Sequence, residues 1–418
     1  MSIRSKGFVF AMEEGEVVDP VVTDEVPAIQ AEVEAGSAEV VEEAEEIQEG
    51  IEAADEAGED GETLGDIQEV MAESVEKGEG LDETSAAIAE VAVEAICARL
   101  GISGKHLMPA TESFGSSNSR LAATKIAMEN VGETIKRILE GIKKFFAGLW
   151  EKIKAFYTNF FGNSEKVEKL AKEMQAKVEG LDKAAEAKAG EFKSGAIAGA
   201  LNDGSKVDGG TAKAVVEAQA KLTADFDKVV GGFVSISEGV RKMAADIGKV
   251  GVGDIMSGFK AVEATGLVGG QTLTVGVKPD TATVSTSIEA KSFDKDMVKT
   301  LDRAEMVELC KAVGGLMAET TKIKKELPKI EKSNKDLSTA VDAVIKFVDN
   351  KAEKVEASKA AIDAIRSVST SSQSACSKFV TFVPVANLKA GKAALNYVSA
   401  SLKQYGAKTE AAAPAEAK

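Results

Sequence analysis

Side chains able to do chemistry are scarce in this sequence. One histidine, His106, and three cysteines, Cys97, Cys310 and Cys376, occur in 418 residues. No histidine follows residue 112, which excludes Ser/His/Asp and Cys/His nucleophilic sites from the larger part of the chain. The cysteines show no CxxC spacing and cannot all pair with one another, so they read as small buried hydrophobes in a reducing compartment. Two isolated cysteines after residue 112 do not make a zinc site. No GxxxxGK(S/T) loop occurs. The glycines from Gly248 to Gly258 follow no strong strand, and they read as a connection between helices rather than a phosphate cradle. Carboxylate pairs are too abundant in so acidic a chain to single any out. The sequence therefore assigns no catalytic, metal or cofactor-binding residue, and a non-enzymatic protein without a cofactor is expected.

Charge carries more information. The chain has 68 acidic and 51 basic residues, a formal charge of -17. Residues 1–112 hold 30 and 5 of these, a charge of -25; the 38 and 46 that remain leave +8 for residues 113–418. Such asymmetry points to different partners for the two parts. Glu/Asp with Ala, Val and Gly dominate residues 13–63, with little to bury and much to repel, so disorder or fluctuating helix is expected there. Short helices are expected over 64–100. A linker follows, from Gly101-Ile102-Ser103-Gly104 through Pro109 to Gly115-Ser116-Ser117, where the charge changes sign.

The elements after the linker read as mainly α, a long-helix bundle with one β-hairpin. The spacing of Ile135, Ile138, Leu139, Ile142, Phe145, Phe146, Leu149, Trp150, Ile153, Phe156, Tyr157, Phe160 and Phe161 predicts an amphipathic helix closed by Gly162-Asn163. Its other face carries Lys143, Lys144, Lys152 and Lys154. This is either a core helix or, with a Lys-rich polar face and Trp/Phe opposite, an interfacial membrane helix. Further helices are expected over 164–200 and 211–247. Thr272–Val277 and Ile288 back to Thr281 alternate in a way that predicts a hairpin over 271–289, one that must dock on helices because two strands alone are marginal. A helical hairpin is expected over 291–405, with a coiled-coil-like seam at Val341, Ile345, Val348, Ala352, Val355 and Ile362, a polar break from Ser367 to Ser377, and a disordered tail from residue 406. The lysines Lys322, Lys324, Lys325, Lys329, Lys332 and Lys335 are a solvated face or a nonspecific phosphate contact. No run of 18 apolar residues occurs, and the apolar stretch at 7–12 is too short for a signal-peptide core, so synthesis in the cytoplasm is expected.

The charge switch coincides with Ala110-Thr111-Glu112-Ser113. A small residue, any residue, then Glu resembles the pattern cut by prohead proteases of large tailed bacteriophages. Ala11-Met12-Glu13, Ala44-Glu45-Glu46, Ala57-Gly58-Glu59 and Ala127-Met128-Glu129 match it too. Ser113-Phe114-Gly115, then Ala122-Ala123-Thr124-Lys125-Ile126-Ala127-Met128-Glu129, Ile142-Lys143-Lys144-Phe145-Phe146 and Trp150-Glu151-Lys152-Ile153-Lys154 resemble the start of mature internal head (prohead core) proteins of T4-like and jumbo phages. The resemblance covers roughly 50 residues well. It implies an acidic propeptide over 1–112 and a basic body kept in the head with DNA. It further implies assembly in the host cytoplasm, self-association, and a prohead protease, other core proteins and the capsid shell as partners. The alternative is a helical pore-forming protein held inactive by its acidic segment, the one reading in which a membrane is the partner.

Overall fold

The computed structural model describes residues 25–405 except 105, 183–186, 188–189, 203–206, 246–251 and 351–355. The mainly α expectation holds. The helices are α1 (Glu25–Glu76), α2 (Glu83–Arg99), α3 (Ser117–Glu179), α4 (Gly195–Ala200), α5 (Gly209–Ala224), α6 (Phe226–Ala245), α7 (Val252–Ser257), α8 (Arg303–Lys322), α9 (Leu327–Asn350) and α10 (Glu356–Leu402). The strands are β1 (Glu191–Lys193), β2 (Val262–Leu267), β3 (Gln271–Lys278), β4 (Thr283–Ala290) and β5 (Met297–Lys299).

The acidic segment differs most from expectation. Residues 25–76 form one helix of 52 residues. Val26, Val33, Val40, Ile47 and Ala54 recur every seven residues and are buried, with Ser37 and Ile51 buried between them. A stripe only two residues wide per heptad is hard to see among so many carboxylates, yet it suffices for a seam between long helices. Alone, this helix would be unstable. It has no Lys or Arg, and its like charges at i,i+3 and i,i+4 cost about 0.2–0.5 kcal/mol a pair. Its interior glycines add about 0.5–1 kcal/mol each. Tertiary packing against α3 and α10 supplies what propensity lacks. The expectations for residues 1–24 and 406–418 lie outside the described residues.

α3 extends through the expected stop at Gly162-Asn163 and ends at Glu179. Asn163 is not a cap: its amide donates to the Gly36 carbonyl of α1 at 3.1 Å and to Asn159 O at 3.1 Å. An added Cβ at Gly36 would lie 1.8 Å from Asn163 Oδ1, so glycine is what lets the two helices touch. Contacts at 36/163, 50/145, 61/138 and 81/124 show that the N-terminal segment runs antiparallel to α3 along its length. The expected helix over 164–200 is thus the rest of α3, followed by β1 and the short α4.

α10 is continuous where a polar break was expected at 367–377. Ser369, Ser372, Ser374 and Ser377 are buried, small enough for close helix contact. Ser371 Oγ donates back to Ser367 O at 2.6 Å and Thr381 Oγ1 to Ser377 O at 2.8 Å, as hydroxyls inside helices do. α10 also survives Pro384. Proline at 384 has no N–H to give Val380 O. The Tyr157 hydroxyl of α3 donates to that carbonyl instead, at 2.7 Å, inside the core. Phe379, beside it, stacks on Phe226 of α6 at 5.0 Å.

The seam of α9 has a different register from the one expected. Ile330, Ser333, Leu337, Ala340 and Val344 are buried at steps of three and four; of the expected positions on α9, Val341 is buried beside them and Ile345 is half-buried. They face α6, whose Phe226, Val229, Phe233, Ile236, Val240 and Met243 repeat in the same way. The side chains of Val348, Ala352 and Val355 lie outside the described residues; Ile362 is buried.

The hairpin is present, with Gln271 paired to Ala290 through Lys278 to Thr283. β2 adds a third antiparallel strand. It docks on α10 as expected of a marginal sheet: Val284 N donates to Ser371 Oγ at 3.1 Å, and Thr286 Oγ1 to Ala375 O at 2.8 Å. The helix expected from 291 starts only at Arg303, where Asp302 and Glu305 form a capping box; β5 precedes it, paired with β1.

Candidate functional site

Ala110-Thr111-Glu112-Ser113 lies between α2 and α3. Thr111–Phe114 form one 3-10 turn, with Ser113 N donating to Ala110 O at 2.8 Å. Ala110 itself has extended backbone, φ -54 and ψ 140. Glu112 and Ala110 are exposed, Thr111 and Ser113 partly so, and Phe114 is buried. The linker is therefore exposed at the motif but anchored on either side. Asn130 Nδ2 donates to Leu107 O at 3.0 Å before it, and the Phe114 ring is buried after it. His106 is exposed, at a φ of 73.

The other matches to the motif differ in backbone. Ala44-Glu45-Glu46 and Ala57-Gly58-Glu59 are inside α1, and Ala127-Met128-Glu129 is inside α3. Ala11-Met12-Glu13 lies outside the described residues. A protease needs several residues of extended chain, which a single short turn can yield and a long packed helix cannot without wide unfolding. Of the described matches named above, 110–112 is the one outside an α-helix; Ala261-Val262-Glu263 also fits the pattern and runs into β2, far from the charge switch.

The aromatic face of α3 is in the core. Phe146, Trp150, Phe156 and Phe160 are buried and Phe145 is half-buried against Gly50 of α1. Phe156, Tyr157 and Phe160 pack ring to ring, with centroids 5.4 to 6.1 Å apart. The cationic face is partly occupied by the chain itself. Lys143 binds Asp342 of α9, Lys152 lies 3.6 Å from Glu46 of α1, and Lys154 lies 2.7 Å from Glu151; Lys144 is exposed. The later lysines are interleaved with carboxylates too: Lys322–Glu319, Lys329–Glu326, Lys332–Glu238 and Lys335–Glu331 all fall within 3.0 Å. This is a solvated face with local pairs rather than one concentrated basic patch.

The acidic helix makes polar contacts with both neighbours. Glu43 accepts from Asn159 at 2.6 Å, Glu32 lies 3.5 Å from Lys166, and Asp55 accepts from Ser374 at 2.7 Å and Lys378 at 2.8 Å. Beside Asp55 lies a cavity of about 740 Å³ between α1, α3, α10 and the turn of the hairpin. Its floor is Ile135, Ile138, Leu139 and Ile142, and Glu62 stands in its acidic wall. Partial burial, then the charges of Asp66, Glu59 and Asp363, push the Glu62 carboxyl up, against a hydrogen bond from Ser367.

Among the described residues no group of His, Cys, Asp and Glu is arranged to hold a metal. No described helix is long and apolar enough to cross a membrane. The cysteines are free and buried, and burial pushes Cys310 and Cys376 up to about 12. Neither a curated protein nor a solved structure matches the chain. Residues 21–400, from the acidic helix to the end of α10, do match one protein family, and on that extent the chain belongs to the phiKZ-like phage internal head proteins.

Proposed function

We propose that this internal head protein is a component of the prohead core whose acidic segment, residues 1–112, is separated from the body by a cut after Glu112. The observation that carries the proposal is the coincidence of three properties at one short segment. The charge inverts there, the motif is exposed there, and the backbone is not α-helical there. In this reading the protein is structural rather than enzymatic and is assembled in the host cytoplasm. The acidic segment keeps basic bodies soluble and apart from DNA during assembly, through its charge of -25. The body, at +8, remains in the head interior beside packaged DNA, touching phosphate without reading sequence. A prohead protease, other core proteins, further copies of this chain and the shell are its partners. The pore-forming alternative loses support because the aromatic face it needs is buried. Mass spectrometry of purified virions tests the proposal. A mature N-terminus at Ser113 is expected, and peptides spanning Glu112–Ser113 in mature heads would sink it.

A further inference from the structure

A cut after Glu112 breaks one peptide bond, but the acidic segment is held by far more than that bond. α1 lies antiparallel on α3 and also contacts α10. Its N-terminal part reaches Asn396, to which Gln30 donates at 3.1 Å, and its middle reaches Ser374 and Lys378 through Asp55. Val33, Val40, Ile47, Ile51, Leu64 and Met71 are each no more than 1% exposed. Just before α2, Leu81 N donates to Thr124 Oγ1 of α3 at 2.9 Å, and α2 itself is held to α1, where Arg99 binds Asp60. Removing this segment from an otherwise intact body would bare an apolar groove many turns long. Soluble monomers rarely expose more than a few hundred Å² of contiguous apolar surface.

We propose that the groove between α3 and α10 is a docking surface for an acidic helix, and that it retains residues 25–112 in trans after the chain is cut. Processing at Glu112 then yields a nicked, two-chain particle, and loss of the acidic helix is a second, separate event. The hold is mainly apolar. The charged contacts at the groove edge, Lys152–Glu46 and Lys166–Glu32, are exposed and screened by salt. The Ala-x-Glu motifs inside α1 are protected while it is docked and become cuttable once it leaves, so any further trimming there reports release.

The inference deepens the proposed processing and rests on it only for the position of the cut. To test it, a recognition sequence for a site-specific protease is placed between Glu112 and Ser113 of the full chain. The cut product is then examined by size exclusion and native mass spectrometry at about 0.15 M and about 0.5 M salt, where surface pairs are strongly screened. Both fragments are expected to travel as one complex at both salts; separation at either salt overturns the proposal. In the Ile47→Glu, Ile51→Glu double variant the fragments should part after the cut, and continued association would overturn the apolar hold. Hydrogen exchange on the uncut, unmodified chain needs no variant to fold. α1 amides should be protected within about tenfold of those of α3, and exchange at free-peptide rates would overturn the docking. An unprocessed N-terminus in virions would remove the processing step and leave these results standing. Separated fragments would remove the docking and leave the processing step standing.

Discussion

Tyr157 and Pro384 show how much depends on one hydroxyl. Proline leaves Val380 O without its helical donor, and Tyr157 supplies another from a different helix. Tyr157→Phe leaves a buried carbonyl unpaired, so it should cost about 1–3 kcal/mol in urea denaturation. In a Pro384→Ala background the backbone N–H returns and the same change should cost measurably less; an unchanged cost would show that the two residues are not coupled. The cysteines belong to this scale too. With Cys310 and Cys376 pushed up to about 12 by burial, and Cys97 raised by burial and by Glu94, the thiols stay protonated at ordinary pH. Ellman's reagent at about pH 8, near the pKa of a free thiol, should find all three unreactive in the folded chain and reactive in denaturant. Their role as small hydrophobes was legible in the sequence from their isolation. The Tyr157–Val380 bond was not, because nothing local joins residues 223 positions apart.

At the scale of elements, α1 is the helix whose existence depends most on its neighbours. Gly36 allows its contact with Asn163, and Gly36→Ala forces that side chain from two hydrogen bonds. Destabilisation of about 1–3 kcal/mol is expected, with faster hydrogen exchange in α1 than in α5 as the check. The Glu62 carboxyl adds a pH dependence. Its folded pKa is raised, first by burial and then by Asp66 and Glu59 on α1 and Asp363 on α10. A raised carboxyl pKa favours the protonated, folded form. The stabilisation is therefore full below the unfolded pKa and is lost as pH rises through the folded one. Glu62→Gln should raise the melting temperature at pH 7 and flatten its fall as pH rises out of the carboxylate range; a melting temperature at pH 7 equal to wild type would count against this. The aromatic helix and the hairpin were readable because their periods are dense and unmixed. α1, the serine-rich stretch of α10 and the seam of α9 were not. α1 and the α10 stretch have sparse or small-residue contact faces, and in α9 the apolar residues at 337, 341, 344 and 345 fit more than one seam until α6 selects among them.

For the whole molecule, the acidic and basic parts share one contiguous core, from Val26 of α1 to Val398 of α10. The single tryptophan, Trp150, sits inside it and is 6% exposed. Urea unfolding should therefore be cooperative, with Trp150 fluorescence and far-ultraviolet circular dichroism falling together. Loss of helical signal well before the tryptophan signal would mean that α1 melts alone. Membership of the internal head family places the protein in the interior of the phage head. By itself the sequence determined the mainly helical class, the division of charge, the scarcity of catalytic side chains and the candidate motif at Glu112. Those properties follow from residue types and from periods a few residues long. Only the tertiary structure decided that the acidic segment is part of the fold, because its sparse heptads and unopposed carboxylates make a helix only when α3 and α10 lie against them.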